Sequence, residues 1–135
     1  MTSKIVYQGG LRCEAEHIRS GSTIQTDAPV DNMGKGALFS PTDLVATALA
    51  ACILTTMGIA ANAREMNIDG SDCTVEKIMA AEPRRISEVK VVITMRGQES
   101  FSDKEKSLME HIAISCPVFV SLHPDMKKDI TFIWN

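Results

Sequence analysis

The sequence predicts an α+β fold, and three observations support that class. First, the predicted strands and helices are grouped along the chain instead of alternating regularly, which disfavours a doubly wound parallel sheet. Second, one long apolar segment, residues 40–66, separates a group of short strands from a group of longer ones. Third, the 135 residues are 44% hydrophobic, which suits one domain with a sizeable core. We therefore expect a single domain over residues 1–135, organised around a central helix.

Three short strands are predicted ahead of the central helix. Gly9 and Gly10 form a hairpin signal between the first two runs, and Gly21 marks the turn before the third. The predicted strands are residues 4–7, 12–17 and 22–26. Residues 27–38 carry proline, asparagine and glycine, so we expect a loop that leads into the helix.

The central helix has a clear start and almost no polar face. Ser40 is a good N-cap, Pro41 suits the first helical position, and Asp43 completes a capping box. No charged residue occurs between Asp43 and Arg64, and the pattern extends the helix to about residue 67. A helix of about 25 residues would be roughly 38 Å long. An apolar helix of that length must be enclosed, so we predict a core shared in a dimer; a membrane span is the alternative.

The second half of the chain predicts a pair of strands, two helices and a last strand. Apolar residues alternate along residues 86–95, which indicates a strand with one buried face. Ser102 and Glu105 form a second capping box, and Ser115 is the predicted N-cap of a short helix. The predicted elements are strands 72–80 and 86–95, a helix after residue 102, a short helix over 116–122, and a strand over 128–134.

Composition and charge exclude several classes of function. The net charge of −3 disfavours nucleic acid as the main partner, because phosphate binding needs a basic surface. The first residues lack the apolar segment of a secretory signal, so we expect a cytoplasmic protein. The histidines His17, His111 and His123 have no metal-ligand spacing, and neither C-x-x-C nor a glycine-rich phosphate loop occurs. We therefore expect no metal and no cofactor.

Two of the 4 cysteines are candidates for chemistry. Cys116 lies where a helix should begin, and the helix dipole there would lower its pKa; the alternative is an inert buried thiol. Cys52 lies in the middle of the apolar helix, and burial there would raise its pKa; the alternative is a small core residue. Packing that brought the two within disulfide reach would make them a peroxidatic and resolving pair. Cys13 and Cys73 lie on predicted strands, and we interpret both as core or surface thiols.

Two motifs together carry a resemblance to a known family. The segment S-P-T-D-L-V-A-T-A-L-A-A-C at residues 40–52, combined with C-P-V at residues 116–118, resembles the OsmC/Ohr family of thiol peroxidases. These are the osmotically inducible and organic hydroperoxide resistance proteins. The preceding S-G-S-T-I-Q-T-D-A-P and the order of elements fit as well, so the resemblance spans essentially the whole chain.

The resemblance implies a fold, an assembly and a chemistry. The fold would be an intertwined α+β homodimer, in which long central helices pack against antiparallel sheets and two active sites lie at the subunit interface. Cys52 would be the peroxidatic thiolate that attacks an organic hydroperoxide. Cys116 would be the resolving thiol, and a dithiol reductant would reopen the resulting disulfide. These roles reverse the order of acidity that the residues alone suggest.

One feature of the sequence departs from the pattern of the peroxidases. Those members carry a glutamate directly after the proline at the helix start, paired with a loop arginine that holds the thiolate. Here Thr42 follows that proline, Asn32 falls near the place of the arginine, and Lys35 is the cation of the loop. The chain therefore resembles the OsmC-like branch without the pair, and we expect a near-normal or raised pKa for Cys52. The replacement cations that stay open are Arg12, Arg19, Lys35, Arg84 and Arg85.

Two functions follow from the sequence. The first is a homodimeric peroxidase that reduces organic hydroperoxides through Cys52 and Cys116, with a dithiol as reductant and no nucleic acid or membrane partner. The second is a non-peroxidase member of the same family that binds a hydrophobic small molecule in the dimer cleft. The cation that serves the Cys52 thiolate is the feature that separates them.

Overall fold

Strands and helices follow the predicted order along the chain, and the α+β class is confirmed. The computed structural model describes all residues, 1–135. The elements are β1 (Ser3–Gly9), β2 (Arg12–His17), β3 (Thr23–Asp27), α1 (Pro41–Asn62), β4 (Asp72–Ala80), β5 (Arg85–Thr94), α2 (Asp103–Ala113), α3 (Pro117–Ser121) and β6 (Lys127–Ile133). A short 3-10 turn, Val30–Asn32, lies in the predicted loop. The chain divides into two compact units, Met1–Val45 and Ala46–Asn135; the single domain stays a prediction.

The first unit is built on the antiparallel sheet β1-β2-β3. Gly9 and Gly10 have φ angles of 82° and 61°, which glycine adopts without strain, and they close the predicted hairpin. The register places Ile5, Ala15 and Ile24 in one row across the three strands. Ile5 and Ile24 remain 63% and 52% exposed, so this apolar face of the sheet is uncovered within one chain.

The start of α1 is the predicted capping box. The Ser40 hydroxyl accepts from the Asp43 backbone N–H at 3.0 Å, and the Asp43 carboxylate accepts from the Ser40 N–H at 2.9 Å. The helix ends at Asn62, so the predicted end near residue 67 is wrong. Beyond that residue the backbone N–H of Met66 returns to the Ala61 carbonyl at 3.0 Å, and Glu65 adopts a φ of 57°. This reversal satisfies a terminal carbonyl of the helix and stops its propagation.

The core of the second unit lies between α1, the sheet β4-β5-β6 and α2. Alternate residues of β5 point into it, as the sequence pattern predicts. The largest fully buried apolar side chains are Leu49, Ile53, Met57, Val89, Val91, Ile93, Met95 and Met109. Because β4 and β5 are joined by a tight turn they run antiparallel, whereas the helical crossover through α2 and α3 makes β6 parallel to β5. The expectation of purely antiparallel sheets is therefore wrong for β6.

The opposite side of α1 is exposed. Ala48, Ala51, Thr55 and Ile59 lie on it at helical spacing, and Ile59 is 68% exposed. Helix α1 is long and apolar enough to cross a membrane, but core helices of soluble proteins pass the same test. Helix α1 therefore buries one side in the core, and the small apolar residues on its other side are not covered by this chain.

Candidate active site

Cys52 lies on α1 at the edge of its buried side. Its thiol packs against the hydrophobic core while part of the residue stays accessible. One turn further along, the Thr56 hydroxyl lies 3.9 Å from Cys52 Sγ, which is within the longer range of hydrogen bonds to sulfur. The helix therefore presents the Cys52 sulfur together with a hydroxyl group on the same face.

Cys116 lies directly before α3 and is the N-cap of that helix. Its Sγ accepts from the backbone N–H of Phe119 at 3.3 Å, and Pro117 occupies the first helical position. The prediction of Ser115 as the cap is wrong, because the Ser115 hydroxyl donates to the Ile112 carbonyl at 2.7 Å, at the end of α2. Cys116 is fully buried, with 0% exposure.

The fold brings these two thiols together within the second unit. The Cys116 thiol and the backbone N–H of Val118, in the first turn of α3, lie close enough to Cys52 to act as donors that favour its thiolate. All four cysteines are free thiols. The start of α3 therefore brings Cys116 next to Cys52, which the sequence alone could state only as a condition.

The two thiols have opposite acidities. Burial disfavours the charged form of Cys52, but hydrogen bonds from Val118, Cys116 and Thr56 together outweigh burial and lower its pKa. For Cys116, burial raises the pKa, and the neighbouring Cys52 raises it further against the opposing hydrogen bonds of Phe119 and Val118. The expectation that the helix N-terminus makes Cys116 the more acidic thiol is therefore wrong. So is the expectation of a near-normal or raised pKa for Cys52.

The groups that lower the Cys52 pKa are neutral donors, and no cation is among them. Of the candidate replacements, Arg12 forms a two-point ion pair with Asp27, at 2.7 and 2.8 Å, and the Asp27 side chain is only 1% exposed. This pair, which the sequence did not indicate, holds the pKa of Asp27 below its usual range. Arg85 donates to the carbonyls of Ala81 and Pro83 in its own turn. Neutral hydrogen-bond donors therefore act on the Cys52 sulfur, where the family pattern implies an arginine.

Asp43 and Asn32, which lie near the positions of the family's glutamate and arginine, form local contacts in this chain. Asp43, one place after Thr42, is engaged in the capping box with Ser40. The backbone N–H of Asn32 donates to the Pro29 carbonyl at 2.9 Å in the 3-10 turn. Both residues thus stabilise the approach to α1 and its first turn.

The other two cysteines, Cys13 and Cys73, lie on strands, outside α1 and the start of α3. Cys13 lies on β2, between Tyr7 of β1 and Thr26 of β3. Cys73 lies on β4, opposite Ile93 of β5. Burial, with the nearby Asp72 charge, raises the pKa of Cys73, so that thiol is a poor nucleophile. The structure holds no group of three or more His, Cys, Asp or Glu side chains that could bind a metal.

Two open depressions lie in the second unit. One, of about 310 Å³, is lined by residues that include Arg96, Gln98 and Trp134. The other, of about 260 Å³, is lined by Arg64, Met66, Lys104, Glu105 and Leu108. Neither includes Cys52 or Cys116 in its lining.

Comparison with known proteins identifies relatives across the whole chain. The sequence profile of the family described as OsmC-like protein matches residues 34–131. Among solved structures, a Psychrobacter arcticus protein described as an osmotic stress induced and detoxification response protein is 48% identical, with a TM-score of 0.94. That match covers 98% of this chain and 96% of the other. A search of curated proteins gave no match.

More distant structures share the fold. An organic hydroperoxide resistance protein OsmC from Legionella pneumophila is 18% identical, with a TM-score of 0.76 over 98% of this chain and 96% of that one. An organic hydroperoxide resistance protein from Elizabethkingia anophelis is 15% identical, with a TM-score of 0.76 over 100% of this chain and 97% of that one. At these identities the likeness concerns the arrangement of the backbone.

Proposed function

The chain belongs to the OsmC-like protein family, and we propose that it is a thiol-dependent peroxidase that reduces organic hydroperoxides. The proposal is supported by the proximity of Cys52 and Cys116, since each thiol acts on the other so that the pKa of Cys52 is lowered and the pKa of Cys116 is raised. A peroxidase of this kind needs the first sulfur as a thiolate, because the thiolate is the form that attacks the peroxide, and a second sulfur close enough to form a disulfide with it.

In the first step the Cys52 thiolate attacks the outer oxygen of the hydroperoxide. The O–O bond breaks, the alkoxide leaves and takes a proton from water to become the alcohol, and Cys52 becomes a sulfenic acid. The sulfur is oxidised by two electrons and the peroxide is reduced by two. The partial exposure of Cys52 gives the peroxide access to the sulfur.

In the second step the Cys116 sulfur attacks the sulfenic sulfur of Cys52. A disulfide forms, and the hydroxyl group leaves as water after taking the Cys116 proton. Because the pKa of Cys116 is raised, its thiol holds the proton before this step, and that proton leaves with the hydroxyl group as the disulfide forms. A small-molecule or protein dithiol then reduces the disulfide by thiol–disulfide exchange, and its own two thiols become a disulfide.

We further propose that the protein works as a homodimer. Two apolar surfaces remain uncovered in the single chain: the small-residue side of α1 and the sheet face that carries Ile5 and Ile24. Small residues such as Ala48 and Ala51 allow two helices to approach closely.

Free thiols without disulfides fit a reducing compartment, which supports a cytoplasmic location.

A second candidate is a member that binds a hydrophobic small molecule without turning over peroxide. Thr42 after the helix-start proline supports it, because the peroxidase pattern has a glutamate at that place. The lowered pKa of Cys52 favours the peroxidase, since the thiolate has donors that do not depend on that glutamate.

Rapid-mixing kinetics of thiol oxidation test the proposal. The reduced protein is mixed with cumene hydroperoxide or with hydrogen peroxide, and oxidation of Cys52 and Cys116 is followed by fluorescence and by mass spectrometry. We expect fast oxidation by the organic peroxide and a peptide cross-link between Cys52 and Cys116. The Cys52→Ser variant should not react, whereas Cys73→Ser, the matched control on β4, should behave as wild type. Slow oxidation with no cross-link would contradict the peroxidase and leave the small-molecule candidate.

A further inference from the structure

Two neighbouring threonines on α1 use their hydroxyl groups differently. Thr55 donates to the Ala51 carbonyl one turn back, at 2.8 Å, which is the usual arrangement for threonine inside a helix. The Thr56 hydroxyl instead contacts Cys52 Sγ at 3.9 Å. Thr55 is exposed and Thr56 is half-buried, so only the second hydroxyl faces the site.

The surroundings of Cys52 give this contact its importance. From α3 the site receives one titratable group, the Cys116 thiol, and one backbone donor, the Val118 N–H. From α1 it receives the Thr56 hydroxyl, and no charged side chain is among the groups that act on the Cys52 sulfur. In a partly buried site without a cation, each neutral donor carries a larger share of the stabilisation of a negative sulfur.

We propose that Thr56 is a positioning residue that donates its hydroxyl hydrogen bond to the Cys52 thiolate and holds that sulfur for attack. A thiolate only accepts hydrogen bonds, so ionisation of Cys52 fixes the hydroxyl as the donor. The contact is long for the neutral thiol and shortens when the sulfur carries charge. The proposal rests on the proposed function for its consequence in turnover, but the hydrogen bond itself does not require peroxidase activity.

Thr56 differs from the other two donors in one respect. The Cys116 proton is consumed when the disulfide forms, and the Val118 donor depends on how α3 is placed. The Thr56 hydroxyl belongs to the same helix as Cys52, so it keeps its place during the whole cycle. It is therefore the side-chain donor whose position does not depend on the redox state of Cys116.

Three variants of the full-length reduced protein test this inference: Thr56→Val removes the hydroxyl at nearly constant shape, Thr56→Ser retains it, and Thr55→Val is the matched control. The pH dependence of Cys52 alkylation by iodoacetamide is measured on the Cys52 peptide by mass spectrometry. We expect Thr56→Val to raise the Cys52 pKa and to slow alkylation at neutral pH by about 3- to 10-fold, with recovery at alkaline pH. Thr56→Ser should stay close to wild type, and Thr55→Val should not change the profile. If Thr56→Val is poorly folded, Thr56→Ala provides the same comparison.

An unchanged pH profile in Thr56→Val would overturn the inference, and so would a loss of reactivity that is equal at every pH. Peroxide kinetics separate this from the proposed function. A shifted alkylation profile in a protein that does not react with cumene hydroperoxide would refute the peroxidase and support the role of Thr56. A wild-type protein that reduces the peroxide, with a Thr56→Val profile that matches wild type, would refute the role of Thr56 alone.

Discussion

The two thiol regions of the molecule differ in what surrounds each sulfur. Cys116 occupies the place where elementary rules predict an acidic thiol, directly before a helix, yet it is fully buried and its pKa is raised. Cys52 lies in the middle of an apolar helix, where the rules predict a raised pKa, yet three donors lower it. Contacts made by packing therefore decide the order of acidity of the two thiols. Helix α3, with 5 residues, is too short to decide that order through its dipole.

Substitution of Cys116 should separate the roles of the two thiols. Cys116→Ser should still react once with cumene hydroperoxide but stop at the sulfenic acid or oxidise further, because no resolving thiol remains. Steady-state turnover should fall by at least about 1,000-fold, whereas the first oxidation of Cys52 should change much less. Trapping of the sulfenic acid with dimedone and mass spectrometry measure this. Sustained turnover in Cys116→Ser would show that another thiol resolves Cys52.

A second effect concerns the assembly around the site. Ile59→Glu places a charge on the exposed side of α1, and we expect the dimer to weaken by 10-fold or more because that charge would be buried between the subunits. Sedimentation at micromolar concentration measures the shift towards monomer, and Ile59→Val is the control.

The order of the two pKa values should survive this substitution. Both thiols and the donors that act on them belong to the unit Ala46–Asn135 of one chain. An order of acidity that reverses in the monomer would show that the partner subunit supplies a group that acts on Cys52.

The smallest effect concerns stability. Cys116 caps α3, so Cys116→Ala should lose about 1 kcal/mol in the free energy of unfolding relative to Cys116→Ser, which retains an N-cap acceptor. The same pair of substitutions at Cys52 should show no such preference for serine, because that thiol caps nothing. Chemical denaturation of the four reduced variants gives the comparison. Equal stabilities of the two Cys116 variants would mean that the sulfur contributes no capping bond.

Much of the fold followed from local signals in the sequence. The strands β2 and β4 have the predicted bounds, and both capping boxes, Ser40 with Asp43 and Ser102 with Glu105, are present. These features depend on neighbouring residues alone, so periodicity and capping rules can find them. The parallel direction of β6 is different, because it depends on where the crossover through α2 and α3 returns the chain.

In the candidate site too, local motifs could be predicted from the sequence, whereas features set by packing could not. The motifs identified Cys52 and Cys116 and implied Cys52 as the thiolate, whereas the order of acidity inferred from the residues alone was wrong because the depth of burial is a property of the packed core. Thr56 was not found, although its spacing of one helical turn from Cys52 was a usable signal. The Val118 N–H was not predictable at all, since a backbone donor carries no signal in the sequence. Nor was the ion pair between Arg12 and Asp27, which depends on the register of two strands.

Direct titration of the two thiols distinguishes Cys52 as the acidic thiol from Cys116 as the protonated one. The cysteine Cβ chemical shifts of isotope-labelled reduced protein report the ionisation of each thiol without requiring access by a reagent. We expect the pKa of Cys52 to lie below the value of an ordinary free thiol and the pKa of Cys116 to lie above it. Ionisation of Cys116 before Cys52, or of Cys52 at or above that value, would contradict the account.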